Sequence, residues 1–342
     1  MSAPVRIGVI GTGAMARLMM PSLLAEPGLD VVAVASRDAG RASAFATEHG
    51  LAGHGDEAKL LADPRIDAVY IVNATADHAT SSIAALQAGK AVLCEKPFAT
   101  DPDEAARVIA AAEAAQRPFL EAISTPFLPA IDHMLAEARS GRIGTLTQFS
   151  ADFGYPASRE ALPRLFGGPG AGVLLDRAVY PLALALLALG PVARTQASVR
   201  REDGVDVHAA ILLDHEGGGL SQLTASLTTL LGNSAILSGT SGSISVAPPL
   251  LKAESLHIHV TSAFGVDTPD RGIKAKLAAM PAMRRAKNLA GSLKAKHYPY
   301  GASPYAPELA HFVAMVRGRQ LESPVLPHAT SLAIQRVLAE CR

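Results

Sequence analysis

The chain lacks tryptophan altogether, and aromatic residues make up only 4% of its 342 residues. Cysteine is almost as scarce. The two cysteines, Cys94 and Cys341, stand too far apart in sequence to indicate a zinc-binding or redox motif. Such sparse cysteine usage fits a reducing compartment, so we expect a cytoplasmic protein.

Net charge is also absent, because 31 basic residues balance 31 acidic ones. A neutral chain has no overall attraction to nucleic acid or to a membrane surface, so we expect neither as a partner. The most apolar stretch, residues 178–189, is shorter than the roughly 20 residues that cross a bilayer. It contains Pro181, and we interpret it as a buried helix. The chain begins a strand almost at once, with only Arg6 as early positive charge, which argues against a signal peptide.

Apolar residues, by contrast, are plentiful: 49% of the chain is hydrophobic, enough for two sizeable cores and therefore two domains. The first third alternates short apolar runs with helical patterns. Runs separated by helices imply right-handed crossovers, and hence an α/β Rossmann domain with a doubly wound parallel sheet over residues 1–123. The predicted strands cover residues 5–10, 31–35, 68–72, 91–94 and 119–123.

The pattern changes after residue 123. Residues 220–224 alternate with the period of two that is typical of a half-solvated antiparallel sheet. We therefore expect a C-terminal α+β domain, residues 124–342, with a large open, mostly antiparallel sheet. Its helices are predicted over residues 126–139, 176–189, 304–317 and 329–340. In residues 271–296 every charged residue is basic; we interpret them as a solvated surface segment, with an anion-attracting rim or a subunit contact as alternatives.

The turn after the first predicted strand has the composition of a dinucleotide-binding turn. Gly11 permits a tight turn, Gly13 lets a pyrophosphate approach the backbone, and Ala16 is small enough for close packing of helix and strand. The helix that follows presents free N–H groups to the phosphates. A glycine pattern alone is weakly specific, but here a strand precedes it and a helix follows it. Cofactor contacts are expected from Gly11, Thr12, Gly13, Ala14 and Met15.

The end of the second predicted strand indicates which cofactor binds. An acidic residue there would bind the ribose 2′-hydroxyl of NAD, whereas this chain has Ser36 and Arg37. A hydroxyl and a planar guanidinium suit a 2′-phosphate, so the sequence predicts NADP rather than NAD. The alternative is that Arg37 is a surface residue and that Asp38 accepts the ribose hydroxyl.

Two further motifs carry residue types that hydride transfer uses. Glu95, Lys96 and Pro97 follow a short apolar strand, at the sheet edge where ligands of this fold bind. Asp176 and Tyr180 stand four apart and would share one face of a helix. Lys96 can stabilise negative charge on a substrate oxygen, Tyr180 can donate or accept a proton, and Asp176 can orient the substrate or Lys96. The structural alternatives are a surface turn, and a helix-capping aspartate with a core tyrosine.

Together these motifs resemble the glucose–fructose oxidoreductase, inositol dehydrogenase and MocA family along nearly the whole chain. Within that family the chain looks most like the NADP-dependent dimeric dihydrodiol and D-xylose dehydrogenases. The resemblance includes the glycine turn, residues 93–98 and residues 170–180. It implies that Lys96 and Asp176 are the family's lysine and aspartate and that Tyr180 is its acid–base residue. It further implies an active site between the domains, and a homodimer or homotetramer, since the open sheet often forms the dimer face.

The chain departs from the family pattern at three places. Residues 73–75 read Asn-Ala-Thr where Thr-Pro-Asn is common, and residues 124–129 lack an arginine and a histidine that are often found there. Arg177 and Ala178 replace a common Ile-Gly pair beside Asp176. These departures suggest a substrate different from those of the best-known members. Further cofactor contacts are expected from Asn73, Ala74, His78, Glu95, Lys96 and Pro97.

Substrate contacts are expected from Phe153, Tyr155 and Arg164. His257 and His259 alternate on one strand face, but no third ligand stands out, so we expect no metal. We interpret the chain as an NADP-dependent oxidoreductase that moves a hydride between nicotinamide and a sugar or other polyhydroxylated alcohol or carbonyl compound. The alternatives are a non-catalytic NADP-binding sensor or regulatory protein, and a glycosidase assisted by tightly held NAD.

Overall fold

The computed structural model describes residues 3–260 and 295–342. Its first part is a six-stranded parallel sheet with the order β3-β2-β1-β4-β5-β6, so the predicted doubly wound Rossmann architecture is confirmed. Crossovers on the two sides of β1 run in opposite directions along the sheet, which creates a crevice at the carboxyl ends of β1 and β4. The strands are β1 (Val5–Ile10), β2 (Leu29–Ala35), β3 (Ala52–His54), β4 (Ala68–Ile71), β5 (Ala91–Glu95) and β6 (Phe119–Ala122).

Five helices of this first part pack on the sheet, and local side-chain signals explain where several begin and end. The Asp38 side chain accepts a hydrogen bond from the backbone N–H of Arg41 and so caps the start of α2. Gly50, at φ 69°, ends the same helix in the left-handed conformation. Asp101 caps α5, whose first residue is Pro102. The helices are α1 (Ala14–Ala25), α2 (Ala39–His49), α3 (Glu57–Ala62), α4 (His78–Gln87) and α5 (Pro102–Ala115).

The sequence did not predict β3 and α3, so the strand predicted over residues 68–72 is the fourth and not the third. β3 has only three residues and includes Gly53, which leaves no apolar run to detect. α3 is a helix of six residues capped by Asp56. Both elements are too short for a periodic pattern to stand out from the surrounding loop.

The second part contains an eight-stranded sheet with the order β14-β13-β12-β11-β7-β10-β9-β8. β10 and β7 run parallel, and the other described neighbours are antiparallel, as expected for the mostly antiparallel sheet. The strands are β7 (Leu146–Gly154), β8 (Val192–Glu202), β9 (Val205–His215), β10 (Leu220–Ser226), β11 (Ala235–Gly239), β12 (Gly242–Val246), β13 (Ser255–Val260) and β14 (Lys296–His297).

Two predicted helices of this part begin differently from expectation. The helix predicted over residues 126–139 is divided into a short 3₁₀ turn, Thr125–Phe127, and α6, Pro129–Arg139. Leu128 between them is extended, because the residue before a proline is disfavoured in the helical region. The helix predicted from residue 176 is preceded by one π-helical turn, Leu174–Ala178, which leads into α7, Val179–Leu189. The C-terminal helices are α8 (Ala306–Gly318) and α9 (His328–Glu340).

One face of the second sheet packs on the helices and the other is open. Phe149, Ile211 and Leu237 are buried in a core that also includes α6 and α7. On the open face Leu212 is 49% exposed and Ile236 43%. No helix in the described residues is long and apolar enough to cross a membrane. Most of the basic segment 271–296 lies outside the described residues; Lys296 pairs with Glu137 at 3.3 Å.

Candidate active site

A cavity of about 710 Å³ lies at the carboxyl ends of the parallel strands, in the crevice that the strand order creates. Gly11, Thr12 and Gly13 from the β1–α1 turn line it, as do residues that follow β2 and β4. Gly11 has φ +127°, and a Cβ atom there would lie 2.5 Å from the Val72 carbonyl oxygen, so the turn requires glycine. A Cβ atom at Gly13 would meet nothing within 4 Å, which leaves open space for a ligand beside the backbone.

The first turn of α1 fits a phosphate group. The N-cap residue of this helix is Gly13, and no side chain accepts a hydrogen bond from the first N–H groups. These N–H groups are therefore free at the end of the helix where Gly13 lines the cavity. Such a helix N-terminus favours a bound anion. Ala14 and Met15 begin the helix but are not part of the cavity lining.

The β2 end of the cavity is rich in hydroxyl and guanidinium groups. Ser36, Arg37 and Arg41 all line it. The Arg37 side chain is 79% exposed and pairs with Asp77 at 3.2 Å. Asp38 uses its carboxylate to cap α2 and lies 3.6 Å from Arg41 Nε. This carboxylate is therefore already bonded to the backbone of α2, whereas the two guanidinium groups, each in an ion pair, are largely exposed at the cavity.

The loop after β4 is held by polar contacts to neighbouring elements. Asn73 lines the cavity and donates to Ser81 Oγ at 2.8 Å, and Ser81 donates to Glu57. His78 is 3% exposed, and its Nδ1 lies 2.8 Å from the Pro97 carbonyl oxygen. Burial lowers the pKa of His78, so the ring is neutral at physiological pH. His78 therefore joins α4 to the segment after β5. Ala74, in the same loop as Asn73, lines the cavity.

Lys96 and Asp176, 80 residues apart in sequence, are in direct contact. Lys96 Nζ donates to Asp176 Oδ1 at 2.9 Å and to the Asp176 carbonyl oxygen at 2.8 Å. The same ammonium lies 5.1 Å from the centroid of the Tyr180 ring. The structure thus brings together the three side chains that the sequence predicted as catalytic, and neither a surface turn nor an isolated core tyrosine describes them.

Burial and charge oppose one another in this cluster. Burial disfavours the ammonium of Lys96, but Asp176 and Tyr180 more than compensate and raise its pKa. Burial also works against the Asp176 carboxylate, yet Lys96 and Arg177 lower its pKa overall. Burial raises the pKa of the Tyr180 phenol, and Lys96 counteracts part of that rise. The resting state is a Lys96–Asp176 ion pair beside a protonated phenol.

Glu95 faces the interior beneath this cluster. The Tyr70 hydroxyl donates to Glu95 Oε1 at 2.6 Å, and the Glu95 side chain is buried. Burial raises its pKa. Glu121 and Glu308 are also buried, each about 1% exposed, and each has one carboxylate oxygen without a hydrogen-bond partner among the described residues.

A hydrogen-bonded turn positions Asp176. The backbone N–H of Leu174 donates to Asp206 Oδ2 at 2.7 Å, and that of Asp176 donates to the Gly172 carbonyl at 3.1 Å. Gly172 has φ +104°, and a Cβ atom there would lie 2.2 Å from Asp206 Oδ1. The glycine-rich run before the turn thus allows β9 to approach closely and fix the start of the π-helical turn.

The predicted substrate residues divide between two places. The Phe153 ring packs edge-on against Tyr180 with centroids 5.3 Å apart, and Tyr155 packs against Phe153 at 5.7 Å. Phe153 therefore lies beside the Tyr180 ring, and Tyr155 lies one ring further away. Arg164 instead lines the cavity that the glycine turn also lines.

Sequence reasoning did not assign a site role to Arg41 or Arg177. Arg41 lies in the first turn of α2, and its basic side chain, close in sequence to Arg37, offered a signal. Arg177 stood out only as a departure from the family pattern, since two of its contacts are to main-chain carbonyls far away in sequence. Within the described ranges no group of three or more His, Cys, Asp or Glu side chains is arranged to hold a metal ion, and His257 and His259 are exposed on β13.

A glycine turn at the switch point of a Rossmann sheet and a lysine–aspartate–tyrosine cluster are both features that suit a dinucleotide-dependent oxidoreductase. The family comparisons agree. Residues 5–122 match the oxidoreductase family with an NAD-binding Rossmann fold, and residues 133–245 match the GFO/IDH/MocA C-terminal domain. The chain belongs to the GFO/IDH/MocA family of oxidoreductases.

Individual relatives are similar over most of the chain. An uncharacterized oxidoreductase, ORF334, of Rhizobium meliloti is 34% identical over 264 residues, which cover 75% of this chain and 78% of that protein. Trans-1,2-dihydrobenzene-1,2-diol dehydrogenase of Bos taurus is 31% identical over 71% of this chain and 74% of its own length. KijD10, a 3-ketoreductase from Actinomadura kijaniata solved with NADP and TDP-benzene, superimposes with a TM-score of 0.78 at 26% identity, covering 98% of this chain and 96% of that one.

Proposed function

We propose that this oxidoreductase uses NADP to transfer a hydride between the nicotinamide and a sugar or other polyhydroxylated alcohol or carbonyl compound. The observation that carries the proposal is the contact of Lys96 Nζ with Asp176 at 2.9 Å, 5.1 Å from the Tyr180 ring. An ammonium, a carboxylate and a phenol in contact can hold a substrate oxygen and exchange its proton.

The cavity residues fit NADP better than NAD. The glycine turn and the first N–H groups of α1 would hold the pyrophosphate, and Ser36, Arg37 and Arg41 would hold the 2′-phosphate. Asp38, the alternative partner for a ribose hydroxyl, is engaged in capping α2. When bound, the cofactor supplies the carbon that accepts or releases hydride. KijD10, which resembles this chain in structure, was solved with NADP.

Each residue of the cluster has a separate part in the chemistry. In the reducing direction the Tyr180 hydroxyl would donate its proton to the carbonyl oxygen of the substrate, and in the oxidising direction the phenolate would remove the proton of the alcohol. Lys96 would stabilise the negative charge on oxygen or on the phenolate during either step. Asp176 would orient the ammonium, since it accepts two of the hydrogen bonds that Lys96 donates.

The aromatic rings beside Tyr180 support an alcohol with a flat apolar face. Phe153 packs against the Tyr180 ring and Tyr155 packs against Phe153, and sugars and dihydrodiols both combine hydroxyl groups with an apolar face that could lie against such rings. Relatives of this chain include dehydrogenases of a dihydrodiol. Both classes of compound therefore belong in a substrate test.

The experiment is a substrate screen with both cofactors. The purified protein is mixed with NADP⁺ or NAD⁺ and with D-xylose, D-glucose, myo-inositol or trans-1,2-dihydrobenzene-1,2-diol, and reduced cofactor is followed by absorbance. We expect turnover with at least one of these compounds, and kcat/KM for NADP⁺ roughly tenfold or more above that for NAD⁺, because a charge-assisted contact to the 2′-phosphate contributes at least that much. A preference for NAD⁺ would refute the cofactor assignment.

A further inference from the structure

Arg177 is a buried cation beside the catalytic carboxylate. It is 7% exposed, and its Nε lies 3.5 Å from Asp176 Oδ2. Lys96 holds the other oxygen of the same carboxylate, Oδ1, at 2.9 Å. The Asp176 carboxylate is thus placed between two cations that come from different parts of the fold.

The guanidinium itself is fixed by the second sheet. Arg177 Nη1 donates to the main-chain carbonyl oxygens of Tyr155, just after β7, and of Ser226, at the end of β10. Its Cζ atom lies 5.9 Å from the centroid of the Phe153 ring, which in turn packs edge-on against Tyr180. Arg177 therefore joins the ends of two strands to the Asp176 carboxylate and, through the Phe153 ring, to Tyr180.

We propose that Arg177 is a positioning residue that holds Asp176 from the side opposite Lys96 and supplies the second positive charge of the active site. This inference rests on the proposed function, because it concerns the charge that the cofactor and substrate meet. Family members with an aliphatic residue at this position would lack that charge, so the arrangement distinguishes this chain within the resemblance.

The charge of Arg177 acts among several ionisable groups. Lys96 and Glu95 approach from the β5 side, Asp176 belongs to the π-helical turn, Tyr180 belongs to α7 and Tyr155 follows β7. Glu95 and Tyr305 also couple to the Tyr180 phenol. Lys96 favours the ionised form of Asp176 more strongly than Arg177 does, so the carboxylate stays ionised when Arg177 is replaced, and glutamine there makes the site one charge unit more negative. A more negative site favours the cationic ring of NADP⁺ over the neutral ring of NADPH.

The test is the ratio of the dissociation constants of NADP⁺ and NADPH, measured by fluorescence titration. For Arg177→Gln we expect the ratio Kd(NADP⁺)/Kd(NADPH) to fall roughly threefold to tenfold. Arg177→Lys keeps the charge and should leave the ratio near that of the wild type. A merely structural defect weakens the binding of both forms equally and does not move the ratio. Arg159→Gln, which removes an exposed arginine paired with Glu202, is the matched control and should change nothing.

Asp176→Asn changes the charge of the site in the opposite direction and gives a second test of the role of Arg177. It makes the site one unit more positive, so the ratio should rise, and adding Arg177→Gln should return it toward the wild-type value. This double variant removes the ion pair as a unit, so it tests the charge even where Arg177→Gln alone does not fold.

The outcomes separate the inference from the proposed function. Wild-type protein that binds neither NADP⁺ nor NADPH overturns both. Normal cofactor binding with an unchanged ratio in Arg177→Gln, or an equal fall in Arg177→Lys, overturns the role of Arg177 and leaves the proposed function standing. With an active substrate, the kcat losses of Asp176→Asn and Arg177→Gln should be non-additive, since both act through one carboxylate.

Discussion

At the scale of single residues, the central feature is how Lys96 uses its three N–H groups. Two of them are bonded to Asp176, one to the carboxylate and one to the main-chain carbonyl. Among the described residues this leaves one N–H for an outside acceptor. The main-chain bond also depends on backbone position rather than on a side-chain rotamer, so the ammonium keeps its direction when Asp176 changes protonation. The Lys96 ammonium is therefore already oriented before a substrate binds.

The first prediction concerns Lys96 and Tyr180 themselves. Lys96→Ala and Tyr180→Phe should each lower kcat by roughly 10²–10⁴, the usual contribution of a positioned acid–base group, while the Kd for NADPH stays within a few-fold of the wild type. Steady-state kinetics and fluorescence titration measure the two quantities. Lys252→Ala and Tyr300→Phe, which change the same residue types away from the cluster, serve as controls. Full turnover in both site variants would remove the catalytic assignment.

The second prediction concerns the cofactor. Arg37→Ala and Arg41→Ala should each raise KM for NADP⁺ roughly 10–100-fold and leave KM for NAD⁺ nearly unchanged, because only NADP⁺ carries the 2′-phosphate. Both guanidinium groups line the cavity and are otherwise exposed. Arg107→Ala, on the exposed face of α5, is the control. Equal losses for the two cofactors would instead indicate a general weakening of the fold near the cavity.

At the scale of elements, local signals predicted the structure where the chain carries them. The apolar run of β1, the Asp38 cap of α2 and the proline at the start of α5 needed no information from elsewhere in the chain. β3 and α3 were missed because they are short and are stabilised by packing on the sheet edge. The π-helical turn was missed because Asp206, which fixes its start, lies about thirty residues later in sequence.

The same distinction applies to the candidate site. Lys96, Asp176 and Tyr180 stand in motifs that the sequence displays, and the glycine turn follows directly from β1. Arg177 was seen only as a departure from a family pattern, because its partners Tyr155 and Ser226 become neighbours only when β7 pairs with β10. Every residue has a main-chain carbonyl, so the residue types at positions 155 and 226 give no sign that they accept hydrogen bonds from Arg177.

The third prediction belongs to the turn that carries Asp176. Asp206→Ala removes the side chain that accepts from the Leu174 N–H, so we expect the free energy of unfolding to fall by about 0.5–2 kcal/mol, the range for loss of a capping group. Turnover should fall as well, because the position of Asp176 depends on this turn. Urea unfolding and kinetics measure both. Glu216→Ala, an exposed carboxylate after β9, should leave both unchanged; the same result in Asp206→Ala would show that the turn forms without it.

At the scale of the whole molecule, the C-terminal helices return to the first sheet. The Phe119 backbone N–H donates to the Leu321 carbonyl at 3.0 Å, and His328 Nε2 lies 3.0 Å from the Phe119 carbonyl oxygen. Glu308 on α8 is buried within electrostatic reach of Glu95 and Glu121. The end of the chain thus covers the strands β5 and β6, on which the Lys96 segment depends, and encloses three carboxyl groups that the proposed chemistry does not use.

The fourth prediction follows from that enclosure. Burial raises the pKa of Glu121 from 4.5 to about 7, with Ser331 and the Phe98 N–H opposing the rise. The folded protein therefore binds more protons than the unfolded chain between these values, so the contribution of Glu121 to stability is fully present below pH 4.5 and is lost as pH rises toward 7. The total loss is on the order of 3 kcal/mol.

Glutamine has the shape of the protonated acid and does not titrate, so it isolates this effect from Glu95 and Glu308, which remain in both proteins. In urea unfolding, Glu121→Gln should match the wild type at acidic pH and exceed its free energy of unfolding by about 1–3 kcal/mol at mildly alkaline pH. Glu113→Gln, on the exposed face of α5, should show no such divergence. An equal difference in the free energy of unfolding between Glu121→Gln and the wild type at both pH values would contradict the prediction. It would mean that the pKa of Glu121 is not raised in the folded protein, so that burial of this carboxyl group does not make stability depend on pH.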